Sequence, residues 1–188
     1  MAHEQAARLD PAVRTSVHHA HLMRGDYERA IALDIEDLPH VTVLALDLLG
    51  RRDEAAARMR EYERRPLPKM MRPFIESLRL IFEGRLDEAR GLSQALCNQL
   101  PFRDPCALYY FGRQLAATGD EPGGLQLLGR SVDGGFSCFD FMMRDPWLER
   151  VRGHETFRAL LRRSEARERG ARAAFIEADG ERVLGLSG

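Results

Sequence analysis

The chain has 188 residues, of which 44% are hydrophobic and 30% charged, with a formal net charge of -1. That length favours one domain, compact or drawn out as an array, over two independent globules. Acids and bases are interspersed, which leaves no basic face of the kind nucleic-acid binding leans on, and the unevenly spaced Cys97, Cys106 and Cys138 form neither a disulfide framework nor a zinc knuckle.

The stretch MAHEQAARLD at 1–10 is charged where a secretory signal needs an apolar core, and no apolar run reaches the length of a membrane span. A cytoplasmic protein is expected. Lys69 is the only lysine among 28 basic residues, a bias that accompanies GC-rich bacterial genomes.

From there on, apolar stretches of about a dozen residues alternate with short turn signals. Four turns share one form: MRGDYERA at 23–30, LLGRRDEAA at 48–56, FEGRLDEAR at 82–90 and ATGDEPGGL at 117–125 each place a glycine before an acid and a fresh helical pattern. Glycine suits the left-handed position just past a helix end, and the acid favours the exposed N–H groups of the next helix. Ala, Leu, Arg and Glu dominate between the turns, period-two alternation is absent, and no strand is predicted. The predicted helices pair as 11–24 with 26–37, 40–49 with 52–65, 68–83 with 86–99, and 104–118 with 121–133, with Pro39, Pro66 and Pro101 between pairs.

Further on, Asp145-Pro146 makes a helix start, Asp as N-cap and Pro at the first helical position. Trp147 and Leu148 are then set to cover the end of the last hairpin. A long helix over 154–176 carries Phe157, Leu160, Leu161, Ala171, Ala174 and Phe175. The expected organisation is an extension at 1–10, a hairpin array at 11–135, a capping loop and helix at 136–176, and a flexible tail at 177–188 in which Val183, Leu184 and Leu186 are the docking candidates.

Gly50, Gly84 and Gly119 recur at intervals of 34 and 35 residues, the length of a tetratricopeptide unit, while Gly25 lies only 25 before Gly50. The tetratricopeptide pattern W-x2-L-G-x2-Y, followed by a small residue, an aromatic and a proline, takes the form Leu108-x2-Phe111-Gly112-x2-Leu115 with Gly124 and Leu128 in the last unit. Earlier units keep Gly25 and Ala30; Gly50, Ala55 and Met59; and Gly84, Ala89 and Pro101. Glu76 and Ser77 stand where Leu and Gly belong, and Asp34 departs as well. On these residues the middle of the chain resembles tetratricopeptide repeats (TPR). The resemblance implies an all-α fold of antiparallel helical hairpins, stacked as a TPR-like α-solenoid with a C-terminal capping helix. Residues 107–186, through Gly135-Phe136, the turn DPWLERVR at 145–152 and Phe157, are similar to the closing segment of TPR regions at the ends of bacterial signalling proteins such as kinases, cyclases and transcriptional regulators. None of those catalytic or DNA-binding domains is present in this chain.

In such arrays the first helices of successive hairpins line a concave groove. Mapped onto this chain, its positions are Thr15, His19 and Leu22; His40, Leu44 and Asp47; Met71, Phe74, Leu78 and Ile81; and Cys106, Tyr109, Arg113 and Ala116. The resemblance thus implies a protein or peptide partner held by His19, His40, Leu44, Met71, Phe74, Leu78, Tyr109 and Arg113, with apolar anchors at the centre and Arg113 for one acid. The same stripe is open to a second reading, burial under a neighbouring helix, since an irregular first unit could fold over it. The lysine and asparagine of the carboxylate clamp in chaperone-binding members are missing here, which argues against chaperone C-terminal peptides. The alternative function is a small-molecule sensor that uses the apolar groove as its pocket.

Catalytic and metal chemistry find little support. VHHAHL at 17–22 sets three histidines within four residues, but helical spacing sends His18 and His21 to packing positions and His19 to the concave side. Two imidazoles fall short of the four ligands of a structural zinc site, and no cysteine or HExxH partner is near. Partly buried histidines bonded to a neighbouring helix are expected, with no metal and no cofactor. Ser93 in GLSQA lacks the second glycine of a nucleophile elbow and falls within a helix. Cys138 in FSCFDF, considered with His154, sits among phenylalanines with no oxyanion hole, so packing is expected there. Asp53-Glu54 and Asp87-Glu88 open helices, where the helix dipole accounts for them. With no P-loop or dinucleotide fingerprint, the sequence points to a non-catalytic interaction scaffold.

Overall fold

The computed structural model describes residues 17–33, 39–66, 71–99 and 103–183. The extension 1–10, Thr15 and the start of the first helix, Asp34, Pro101, Leu184 and Leu186 lie outside them. All regular structure among the described residues is helical. It comprises α1 (Val17–Arg24), α2 (Tyr27–Leu33), α3 (Pro39–Leu48), α4 (Arg52–Glu63), α5 (Met71–Phe82), α6 (Leu86–Gln99), α7 (Pro105–Ala117) and α8 (Glu121–Asp133). There follow α9 (Phe139–Arg144), a 3₁₀ turn (Pro146–Leu148), α10 (Glu149–Arg152), α11 (Glu155–Glu177) and α12 (Gly180–Val183). From α1 to α8 each helix packs against the next, so the hairpins stack in chain order as an all-α helical repeat. No helix among the described residues is long and apolar enough to cross a membrane.

The turns are made alike. Gly25, Gly50, Gly84 and Gly119 have φ of 88°, 77°, 78° and 92°, the left-handed region that costs glycine no Cβ clash. At each, the amide after the glycine reaches back to a carbonyl five residues earlier, as Asp26 to His21, Arg51 to Leu46, Arg85 to Leu80 and Asp120 to Leu115, all at 2.9 Å. These bonds satisfy carbonyls that a helix end leaves open and turn the chain sharply into the next helix. In two turns the next helix opens with the same exposed clasp: Arg51 grips Glu54 through two bonds of 2.7 Å, and Arg85 grips Glu88 through bonds of 2.7 and 2.5 Å.

Small residues set how closely hairpins cross. Ala30, Ala55 and Ala89 are fully buried at equivalent positions, and in the last hairpin both helices contribute glycine. A Cβ on Gly124 would lie 2.9 Å from the Ala116 amide nitrogen and the Gly112 oxygen, and one on Gly112 would lie 3.1 Å from the Gly124 oxygen. The α7 and α8 backbones therefore touch, and α7 is buried from Leu108 to Ala116 without a break. A helix buried all round needs neighbours on every side: α6 and α8 flank it, and the 3₁₀ turn and α10 cover what would otherwise be its concave face.

The long helix caps the array through half its length. His154 is its N-cap, its Nδ1 accepting from the Thr156 amide at 3.2 Å. Phe157, Leu160, Leu161 and Ser164 are buried, and the helix packs on α8 and α9. Beyond Ser164 the expected apolar stripe is not used: Ala171, Ala174 and Phe175 are exposed. α12 folds back so that Gly180 lies under the Phe175 ring, while Val183 remains 68% exposed. The described part of the 177–188 tail is thus a helical turn, and Val183 does not dock.

Candidate functional site

The concave stripe is where a scaffold of this kind would hold a partner, and here its residues are interior. His40, Leu44, Phe74, Leu78, Tyr109 and Arg113, expected to face a groove, are buried, with Leu44, Leu78, Tyr109 and Arg113 at 0% exposure. His19 and Met71 are partly buried. Two neighbours cover it: His19 of α1 and Tyr110 of α7 close over His40, with Phe111 against Phe74, and the segment 136–152 covers Tyr109 and Arg113 and returns toward the first hairpins. Phe136 stacks on Tyr109 at 4.4 Å between ring centres, and Phe141 closes on the same ring at 5.6 Å. Arg144 donates to the Met23 carbonyl of α1 at 2.9 Å. Trp147 donates its indole N–H to Asp47 of α3 at 2.7 Å.

Asp145 is the centre of this closure. Its carboxylate accepts two bonds from the Arg113 guanidinium (Nε 2.6 Å, Nη2 2.8 Å), one from the Tyr109 hydroxyl (2.7 Å) and one from the Trp147 amide (3.0 Å). The last is the N-cap bond expected of the Asp-Pro start, although the helix it opens is a single 3₁₀ turn followed by α10. The Trp147 ring lies over Arg113 at 4.2 Å, and Arg152 bonds the Asp145 carbonyl at 3.0 Å. Arg113 and Asp145 are both fully buried. Burial disfavours the guanidinium charge, but the paired carboxylate outweighs it and raises the pKa, so the arginine stays charged. Burial followed by the neighbouring carboxylate holds the Tyr109 hydroxyl protonated, well above its ordinary range. Arg113 is therefore a cation already matched within the chain and is not offered to a partner's acid.

One end of the concave side stays open. Where α3, α5 and α7 end, a cleft of about 390 Å³ is bounded by Asp47, Arg52, Ile81, Leu86, Ala117, Pro146, Trp147, Glu149 and Arg150. Its floor is apolar and its rim carries guanidinium groups. Arg52 bonds the Ile81 carbonyl at 3.4 Å and lies 3.8 Å from Asp47. Glu149 is taken up by Arg152 at 2.7 Å. Of the residues mapped to the groove in the sequence, Asp47 and Ile81 line this cleft, joined by Pro146 and Trp147 of the capping motif, and Arg52 and Arg150 were missed.

The candidates for chemistry disperse. His21 turns to Asp26, 3.3 Å from its carboxylate, while His18 turns inward, so the pair does not share a ligand. No group of three His, Cys, Asp or Glu among the described residues is placed to hold a metal ion. His18 is not bonded to a neighbouring helix as expected: neither ring nitrogen has a hydrogen-bond partner among the described residues. Ser93 lies within α6 and is buried, its hydroxyl 2.7 Å from that of Ser77 and donating to the side-chain Oε1 of Gln114 at 3.3 Å. Cys138 faces the Met23 sulfur at 3.3 Å while His154 caps α11, so the two serve separate ends. Burial pushes the Cys97 and Cys138 thiols up to about 11 and Cys106 to about 12, away from thiolate chemistry.

Comparison with known proteins gives no relative for this arrangement: no family model, no curated protein and no solved structure matches the chain.

Proposed function

We propose that this chain is a non-catalytic interaction module of tetratricopeptide type, acting in a bacterial cytoplasm, whose partner is a protein or peptide that docks at the open end of its concave side. The observation that supports this reading is the cleft beside Trp147: an apolar floor of Ile81, Leu86 and Ala117 flanked by Arg52 and Arg150. An anchor side chain on that floor with an acidic residue at the rim fits the recognition mode of a short peptide, in which a few buried contacts carry most of the affinity. Membership of the tetratricopeptide family rests on the turn glycines, their spacing and the small crossing residues.

Selection of a random peptide library on the immobilised full chain tests the proposal. Enriched peptides pairing an acid with a large apolar residue are expected, with binding lost by tenfold or more in Arg52→Glu plus Arg150→Glu. Enriched peptides that bind wild type and variant equally would place recognition elsewhere.

A further inference from the structure

Three of the histidines share one place. His18 and His19 of α1 meet His40 at the start of α3 and Tyr110 of α7: ring centres lie 4.7 Å apart for His18 and His19, 5.4 Å for His19 and His40, 5.9 Å for His19 and Tyr110, and 5.1 Å for His40 and Tyr110. His40 also sets its ring edge-on to Phe74 at 5.5 Å. Both His18 nitrogens, Nδ1 of His40 and the Tyr110 hydroxyl are buried with no hydrogen-bond partner among the described residues. Protein interiors pair the great majority of such atoms, so four of them from three helices in one cluster call for an explanation.

The surroundings suit neutral rings and no others. On α7 the facing groups are Cys106, Tyr110 and Arg113; the first two are held neutral by burial and the third is a cation. The Arg113 counter-charge, Asp145, is already bound by Arg113, Tyr109 and the Trp147 amide. Among the described residues, Asp104, which caps α7 through the Cys106 and Ala107 amides at 3.1 and 3.2 Å, is the carboxylate that favours charge on His19. From α9 and its approach, Cys138 and Arg144 reach Met23, one turn along α1 from His19; burial holds the Cys138 thiol neutral and Arg144 is a second cation. A proton on one ring is therefore opposed first by burial and then by its imidazole neighbours. Burial alone holds His18 below its ordinary value, and burial with the neighbouring imidazoles holds His19 down to about 4 and His40 down to about 3.

We propose that this cluster is an acid-sensitive latch, which docks the α1–α2 hairpin onto α3 and α7 while its rings are neutral and releases the hairpin as they take up protons. The hairpin it holds packs on α3 and, through α1, on α9, and a single hairpin of a stack is the kind of unit that opens locally before the rest of a fold. Above pH 6.5 the rings are neutral in both docked and released forms, and docking has its full strength. As the pH falls below 6.5 the released hairpin binds protons that the docked one refuses. The release equilibrium then rises about tenfold per pH unit for each of His19 and His40 that release uncovers, or roughly thirtyfold per ring at pH 5. The rise stops near pH 4 for His19 and pH 3 for His40, where the docked rings also protonate.

Hydrogen–deuterium exchange of the full chain at pH 7.5 and pH 5.0, corrected for intrinsic rates, tests the latch. Peptides from 17–33 are expected to lose protection by a hundredfold or more at pH 5.0 while those from 107–116 keep theirs, and the loss in His40→Phe is expected to shrink by roughly thirtyfold. Unchanged protection of 17–33, or equal loss in both segments, overturns the proposal. A titration of the imidazole ring protons in the wild type decides without any variant: His18, His19 and His40 staying neutral well below pH 6.5 supports the latch, and protonation of two of them near pH 6.5 in the docked form overturns it.

Discussion

Asp145 satisfies four donors with one carboxylate, and the cost of removing it follows from what is left behind. Asp145→Ala strands the Arg113 guanidinium, 0% exposed, without a counter-charge; the expected loss is about 3–5 kcal/mol in urea unfolding. Replacing both partners by apolar residues, Asp145→Leu with Arg113→Met, is expected to cost well under the sum of the two single changes, because no charge then stays buried alone. At Gly124 the penalty is steric. Alanine gains about 1 kcal/mol of helix propensity, but its Cβ would press on backbone atoms at 2.9 Å that cannot turn aside, so Gly124→Ala is expected to destabilise by about 1–3 kcal/mol. The three thiols, all with pKa values raised by burial, are expected to react with iodoacetamide at pH 8 far more slowly than free cysteine, and a rate equal to free cysteine at Cys138 would contradict their placement. The small residues were legible in the sequence because close approach admits only Gly or Ala. The Arg113 and Asp145 pair was not, since they lie 32 residues apart. The available signal was an arginine in the middle of the apolar run Leu108–Ala116, which demanded a buried acid from somewhere.

The helices were readable from their ends. Glycine at positive φ is a local requirement, and each of the four hairpin turns meets it with the same pair of backbone bonds, so turn spacing gave the pairing of helices directly. Position along a helix was harder to read. Phe157, Leu160 and Leu161 bury as their spacing implies, yet Ala171, Ala174 and Phe175 continue the same periodicity into solvent. Periodicity specifies a face, and whether anything covers that face depends on where the body of the fold ends. Arg167, which donates to the Val132 carbonyl, and Glu168, which accepts from the Phe139 amide at 3.1 Å, are the last α11 side chains bonded to the array. A chain ending after Gly170 is therefore expected to unfold within about 0.5 kcal/mol of the full chain, as for changes to exposed surface. A loss above 2 kcal/mol would mean that the distal half of α11 is packed.

Across the whole molecule, the groove expected of stacked hairpins is filled by the chain's own segment 136–152, which ties α7 to α3 and α1 through Asp145, Trp147 and Arg144. The sequence held both halves of this outcome, a stripe of concave residues and a capping motif, but not the distance between them, because contacts separated by tens of residues leave no local period. Beside that closure an open cleft is left at one end, and Trp147 forms its wall and the closure at once. As the sole tryptophan, it reports on that closure without interference. Steady-state fluorescence with acrylamide quenching is the direct test. The closed arrangement predicts an indole only 7% exposed, with quenching several-fold weaker than for N-acetyltryptophanamide and restored to that level in urea. Quenching of the native chain as strong as that of the free indole would show that the segment does not lie in the concave face and that the account of the closed groove is wrong.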